Sequence, residues 1–264
     1  MIITSFSQKG YHQYGKNFIL EFLENWPDEE LTVYYERGYP SSAPQDERLT
    51  WVNLYDFKDF KRFEDRLNSS DPLFGGVMHI KQEDATRKPV YNFRFDARRF
   101  YRKVWCMEHM SRQEGVEKFA WVDADVQFVD KAPENFLENL FTLDDPTKEL
   151  YIVHLNREWL YSETGFIAFR TDTEIMSLFF AMAKNTYLSG AFRYLGEWHD
   201  CYVLDLVMRQ LDVPRGSLVQ DEKSDHVFND SMIGQFMIHN KGPERKKAAQ
   251  DDPEGNKERE RRIA

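Results

Sequence analysis

Only two cysteines, Cys106 and Cys201, occur in the 264 residues, so neither a disulfide framework nor a thiolate metal cluster is available. Both fall in helix-like stretches with aromatic neighbours, and the expectation is free, buried thiols in a cytoplasmic protein. Glycine-rich phosphate loops are missing too. No G-x-G-x-x-G and no Walker sequence is present, which excludes a dinucleotide fingerprint and a P-loop. No window approaches the apolar length of a membrane span. Met1-Ile2-Ile3-Thr4-Ser5 begins directly in strand-like sequence, without a charged and then apolar leader, so a soluble, unexported chain is expected. A net charge of −10 lacks the basic footprint of a general nucleic-acid binder, although a local basic patch remains open. Modest glycine and proline against 15% aromatic residues argue for a folded enzyme or binding protein, and the length suits one α/β domain with its own core.

The order of elements points to a parallel sheet. Met1 to Phe6 is a short apolar strand. From Tyr11 to Trp26 the spacing is helical, with Tyr14, Phe18, Phe22 and Trp26 on one stripe, and Pro27 stops it. Leu31 to Glu36 is a second strand, giving a β-α-β opening. Ligands bind outside the carboxyl ends of such strands, here Thr4, Ser5, Phe6 and the connection to Tyr14. A third strand is read over Leu49 to Leu54 and a charged helix from about Asp56 to Leu67. Asn68 to Lys88 reads as a long irregular loop. The helix after Phe95 carries a basic sector of Arg98, Arg99, Arg102 and Lys103. Such a run suits a solvated face, or one or two of its cations turn inward towards an anion.

The most informative stretch is Phe119 to Phe128, FAWVDADVQF. An apolar strand ends in two carboxylates one residue apart, Asp123 and Asp125. In extended chain, residues i and i+2 share a face, so both acids can point into one site. Like charges that close call for a cation, and a hard divalent ion suits oxygen ligands. A bare Asp-x-Asp also fits a solvated turn; the strand in front of it favours the metal.

Further on, Pro133 to Phe141 reads as a short helix, Leu150 to Leu155 as a buried strand, and Ser162-Glu163-Thr164-Gly165 as a polar lead into a strand, Phe166 to Arg170. Asp172 is read as the N-cap of a helix running to about Leu188. Glu197-Trp198-His199-Asp200 opens another helix, where the two acids act as caps or belong to a site. Val227 to Asn229 and Phe236 to Ile238 read as short strands. The second ends in His239-Asn240-Lys241-Gly242-Pro243-Glu244-Arg245, and beyond Lys246 the sequence is alternating charge. Two carboxylates, a histidine and nearby cations suit Mn or Mg bridging a diphosphate. Gly242 lets backbone approach phosphate oxygens closely.

Asp123-Ala124-Asp125 behind its apolar strand resembles the D-x-D motif of GT-A fold glycosyltransferases. His239-x-x-Gly242-Pro243-x-Arg245 is similar to the H-x-x-G-x-x-K segment of the retaining members typified by lipopolysaccharide galactosyltransferases and glycogenin. With the β-α-β opening, the resemblance spans most of residues 1 to 245. It implies a single GT-A-like, Rossmann-like α/β domain over 1–245, with a mostly parallel central sheet and helices on both faces, followed by a charged flexible tail over 246–264. It also implies a metal-dependent hexosyl- or pentosyltransferase using a nucleotide-sugar donor, a UDP-sugar in the first instance, with retention at the anomeric carbon. In that family's terms, Asp123 and Asp125 bind Mn2+ or Mg2+ through the donor diphosphate and His239 is the third protein ligand. Gly242 and Arg245 contact phosphate, with Arg245 where the family has lysine. Asp200 matches the acid that holds the donor sugar hydroxyls or acts near the anomeric carbon, or the general base if the reaction inverts. Glu163 and Thr164 fall where a polar sugar-binding residue precedes Gly165. Arg99 and Lys103 resemble the donor-binding cation upstream of D-x-D, and Thr4, Phe6 and Tyr11 lie beside the base. The family's proline and tryptophan after this segment are missing beyond Arg245.

Two other classes compete. A haloacid-dehalogenase type phosphatase uses D-x-D-x-[TV], but here Gln127 stands two after Asp125 and the motif is mid-chain. A non-catalytic sugar-binding protein leaves the assembled acids and histidine without a purpose. For a transferase, the acceptor is a glycan, a protein, a lipid-linked sugar or a modified base. The opening also resembles glycosyltransferase-like proteins of phage genomes, which brings in a hydroxymethylated base of phage DNA, in a host cytoplasm.

Overall fold

A computed structural model describes residues 1–68, 72–81, 87–142, 149–220, 222–224 and 226–240. Gly242, Arg245 and the whole 246–264 segment lie outside the described residues. The architecture is α/β. Strands β1 (Ile2–Ser7), β2 (Leu31–Glu36), β3 (Leu49–Asn53), β6 (Lys118–Val122), β8 (Ile152–Leu155), β9 (Glu163–Arg170) and β10 (Arg215–Ser217) form one seven-stranded sheet in the order β10-β8-β9-β6-β1-β2-β3. Four of its six pairings are parallel; β9 runs antiparallel to both neighbours.

The alternation of side chains along the strands builds two cores, one on each face. Ile2, Val33, Ala120, Val122, Phe166 and Val153 face one side, where they meet helix α1 (Lys16–Asn25) and the short helix α4 (Phe136–Asn139). Ile3, Tyr34, Phe119, Trp121, Ile167 and Ile152 face the other. There they pack on α2 (Lys58–Asn68), α3 (Ala97–Met110), α5 (Glu174–Leu188) and α6 (Asp200–Gln210). Helices thus cover both faces. Among the described residues, no helix is long and apolar enough to cross a membrane.

Two small sheets complete the chain. Strand β7 (Val126–Phe128) pairs antiparallel with β11 (Met237–His239), matching His239 with Val126. A hairpin of β4 (Val77–Lys81) and β5 (Arg87–Tyr91) occupies the stretch expected to be irregular loop. Val77, Ile80, Val90 and Tyr91 supply its β-branched and aromatic residues, without a regular alternation.

Other expectations need correction. Val227 to Asn229 is turn, not strand: His226 and Asp230 close a tight turn through Asp230 N to His226 O, 3.1 Å. The N-cap of α5 is Thr173, whose hydroxyl accepts from Met176 N; Asp172 is occupied by Arg170 at 2.7 Å. Helical structure begins at Gln8, straight after β1, and passes through a wide π turn at Tyr11–Gly15 before α1. Asp123 and Asp125 are not in extended chain either. Val126 N donates to Asp123 O at 3.0 Å, so the two acids sit on a turn between β6 and β7.

Candidate active site

The C-terminal ends of the parallel strands and the start of antiparallel β9 open into one cleft of about 1300 Å³. Its placement follows from the topology: β9 enters the sheet where β6 leaves it. Val122 is opposite Phe166, and Asp123 N donates to Gly165 O at 2.8 Å. The polar lead-in Glu163-Thr164-Gly165 is therefore laid against the Asp-x-Asp turn.

His239 reaches the same point through the β7–β11 pairing. Its Nε2 lies 3.2 Å from Asp125 Oδ1 and 4.0 Å from Asp123 Oδ2. One ligand atom from each of the three residues falls within 4.8 Å of the others. The ring is held from several sides. His239 N donates to Asn229 Oδ1 at 2.9 Å, the imidazole packs against Phe228, and the following Asn240 bonds Gln127 Oε1 at 2.9 Å. A Cβ on Gly165 would stand 2.7 Å from His239 Nδ1, so this glycine is the space the ring occupies. Burial pulls the His239 imidazole down, but Asp125, Glu163 and Asp123 outweigh it and raise the ring above its ordinary value. Three carboxylates around one buried imidazole make a strongly negative pocket.

The two oxygens of Asp123 have different surroundings. Oδ1 accepts from Trp121 Nε1 at 2.6 Å and from Lys103 Nζ at 2.9 Å, while Oδ2 faces His239. Supported carboxylates and an oriented imidazole, open to a cleft, are the donor set and the supporting shell that a hard divalent cation takes. The residues present fit such an ion.

Lys103 is the turning point between this pocket and the next. Nζ is buried, bonds Thr164 O at 2.6 Å and Thr164 Oγ1 at 3.1 Å, and pairs with Asp200 Oδ2 at 2.8 Å. It also lies 5.1 Å from the centre of the Trp121 ring. Thr164 Oγ1 donates to Asp200 Oδ2 at 2.6 Å. Burial would push the Asp200 carboxyl up; Lys103, His199 and the hydrogen bonds to Lys103 and Thr164 hold it below the usual carboxylate range. Asp200 is thus no helix cap: His199 takes that place, its Nδ1 accepting from Tyr202 N, and Glu197 bonds His199, Tyr161 and Arg94. Glu163 Oε1 accepts from Gly165 N at 3.1 Å, and its Oε2 is 3.5 Å from Arg157.

Of the residues singled out in the sequence, Phe6, Arg99, Lys103, Asp123, Asp125, Glu163, Thr164, Asp200 and His239 all line the cleft. Thr4 and Tyr11 do not. Both are fully buried, Tyr11 donating to Ser42 O at 2.9 Å, so neither is placed to touch a ligand; the cleft instead meets Ser5, Ser7 and Tyr14. The basic helix splits its cations. Asp96 caps it through Arg99 N, Arg98 turns to Leu67 O, and Arg99, Arg102 and Lys103 reach the cleft, where Arg102 is paired with Glu36 and Glu64. Trp121, Asn229 and Asn240 were missed. Trp121 had read as strand apolar content, though its place two before Asp123 gives the indole a carboxylate partner on the same side.

No protein-family model matches the sequence, and no curated protein matches it either. Among solved structures, the apo crystal structure of mouse xyloside xylosyltransferase 1 is similar to this chain with a TM-score of 0.47 and 9% identity, covering 91% of this chain and 97% of that one. A likeness that slight assigns neither a family nor a function.

Proposed function

We propose that the protein is a glycosyltransferase of GT-A type that takes a nucleoside diphosphate sugar, a UDP-sugar in the first instance, and passes the sugar to a hydroxyl group. The observation that carries this reading is the convergence of Asp123, Asp125 and His239, from two distant parts of the chain, beside the buried Asp200–Lys103–Thr164 group in one cleft. Asp125, Asp123 through Oδ2, and His239 would hold Mn2+ or Mg2+. Such an ion supplies charge neutralisation to a diphosphate as it leaves.

The chain's own groups account for the rest. Arg99, exposed in the cleft, adds positive charge on the diphosphate side. Lys103 bridges Asp123 and Asp200 and fixes their spacing. Asp200 and Glu163 offer carboxylate oxygens to the hydroxyls of a donor sugar. The setting of Asp200 favours retention: a carboxylate ion-paired to a buried lysine and held at low pKa is a poor general base, which an inverting reaction needs from it.

The test is release of UDP or GDP from a panel of nucleotide sugars, with and without Mn2+. Metal-dependent hydrolysis by the wild type, lost in Asp125→Asn and His239→Ala, is expected. No hydrolysis and no binding of any donor would overturn the transferase reading.

A further inference from the structure

The cleft has an outer part that the chemistry above does not use. One wall is formed by the end of β5 and the turn after it, Tyr91, Phe93 and Arg94; the other by the loop between β8 and β9, Arg157, Leu160 and Tyr161. Tyr91 is 54% exposed, Phe93 48% and Leu160 52%. Large apolar side chains gathered this open at one cleft mark a surface that something covers. They stand at the mouth of the cleft whose floor carries Asp200 and Glu163.

The polar groups among them are not spread at random. Glu197 accepts from Arg94 at 2.9 Å and from Tyr161 OH at 2.9 Å, and bonds His199 Nε2 at 2.7 Å. His199 in turn lies against Phe93 and Tyr161, with ring centres 5.8 and 4.5 Å apart. The two walls are therefore tied to one another through a half-buried polar knot around His199, which holds the Phe93 and Tyr161 rings in place. Fixed ring faces interleaved with hydrogen-bonding groups match a ligand with one apolar face and a rim of hydroxyls.

We infer that this mouth is the acceptor subsite and that its occupant is an uncharged sugar ring of a glycan or glycoside; this rests on the transferase reading above. A nucleic-acid acceptor fits less well. Arg94 is committed to Glu197 and Arg157 to Glu163 and to Tyr161 O, and the chain as a whole is acidic, so little positive charge is left for phosphates. A lipid acceptor needs a continuous apolar surface, and here every ring has a charged neighbour.

Saturation-transfer difference NMR on the full chain, with a panel of methyl glycosides and disaccharides and no donor, tests the site directly. Transfer to the ring CH protons of at least one sugar is expected. Affinity should fall roughly tenfold in Leu160→Ala and in Phe93→Ala, the effect of uncovering about one side chain's face of apolar surface. Tyr194→Ala, which removes an aromatic 90% exposed but outside the cleft, should leave binding unchanged. Leu160 is 52% exposed, so its variant folds. No saturation transfer to any sugar, wild-type affinity in both mouth variants, or glycosylation of a duplex containing hydroxymethylated bases in place of glycosides would overturn the inference. Donor hydrolysis, measured without acceptor, reports on the transferase reading separately.

Discussion

Replacing Gly165 by alanine puts one methyl group into the space that His239 fills. The added carbon would lie 2.7 Å from Nδ1 and 2.8 Å from Cε1 of the ring, and 3.2 Å from Glu163 Oε1. Carbon–nitrogen contacts at that range are repulsive, so the ring or the strand has to move by the better part of an ångström. The ring has little freedom: it is buried, its backbone is paired to β7 and to Asn229, and Phe228 stands beside it. Overpacking of this kind costs about 1–3 kcal/mol. For a chain of this size that is a fall of roughly 2–12 °C in Tm. The larger effect is on the ion, because a displaced histidine is lost as a ligand or misaimed; about 10–100-fold weaker Mn2+ binding is expected. Titration calorimetry with Mn2+ and thermal unfolding measure the two effects independently. His239→Ala supplies the control, since without the ring the methyl group has nothing to meet. In that background Gly165→Ala should cost little, giving a coupling energy above about 1 kcal/mol between the two sites. A Gly165→Ala protein that binds Mn2+ and melts like wild type, or a pair of variants whose effects simply add, would refute the reasoning.

Lys103→Met leaves Asp123 and Asp200 in the interior without the cation between them, and removing one partner of a buried ion pair costs about 3–5 kcal/mol. Urea unfolding reads this, and a loss under about 1 kcal/mol would show that the lysine is not what holds the carboxylates together. His154 gives a dependence on pH: burial first, then Arg215, brings its imidazole down to about 4 from an ordinary 6.5, and it bonds Ser162 Oγ at 2.7 Å. With the folded value below the unfolded one, the unfolded chain binds more protons between them. The stabilisation is complete above pH 6.5 and is lost as pH falls towards 4, by on the order of 3 kcal/mol. The difference in urea midpoint between wild type and His154→Gln should shrink over that range, and a difference independent of pH would contradict the assignment.

The parts legible in the sequence are those whose signal is local. Strands Leu31–Glu36 and Leu49–Asn53 and helix Ala97–Met110 show their period and their stops, and the sheet they enter is mostly parallel with helices on both faces, as expected. The hairpin at Val77–Tyr91 was hidden because its strands are rich in charge and belong to no buried sheet, so they carry no apolar run. Thr173 against Asp172 as a cap is a choice between two good capping residues, settled by an arginine two residues earlier that takes the aspartate. Thr4 and Tyr11 failed as cleft residues for a different reason. The rule that ligands lie beyond strand ends does not say how far the strand runs, and β1 extends to Ser7, past Thr4; Tyr11 follows the strand, but in the π turn its ring packs on Phe6 and Trp51.

The acids show most clearly what a sequence leaves out. Asp123 and Asp125 read as a pair that needs a cation, and one cation beside them is a side chain of the protein itself. The resident cation is Lys103, and it does not sit between Asp123 and Asp125; it joins Asp123 to Asp200. That leaves Asp125 and the second oxygen of Asp123 on the His239 side, so one carboxylate serves both halves of the cleft. The turn at Asp123–Val126 is what makes this division possible, because in an extended strand both acids would point to one face and compete for the same charge. A peptide-level motif therefore gives the acids, while the surroundings of each oxygen depend on a lysine twenty residues upstream and an aspartate on a separate helix. Lengthening the turn by one glycine after Ala124 should then separate the two functions. Asp123 would keep its bonds to Lys103 and Trp121 while Asp125 and β7 shift register against His239. Mn2+ binding should be lost with the Lys103-dependent stability largely retained, and loss of both together would show that the two halves are not divided at Asp123.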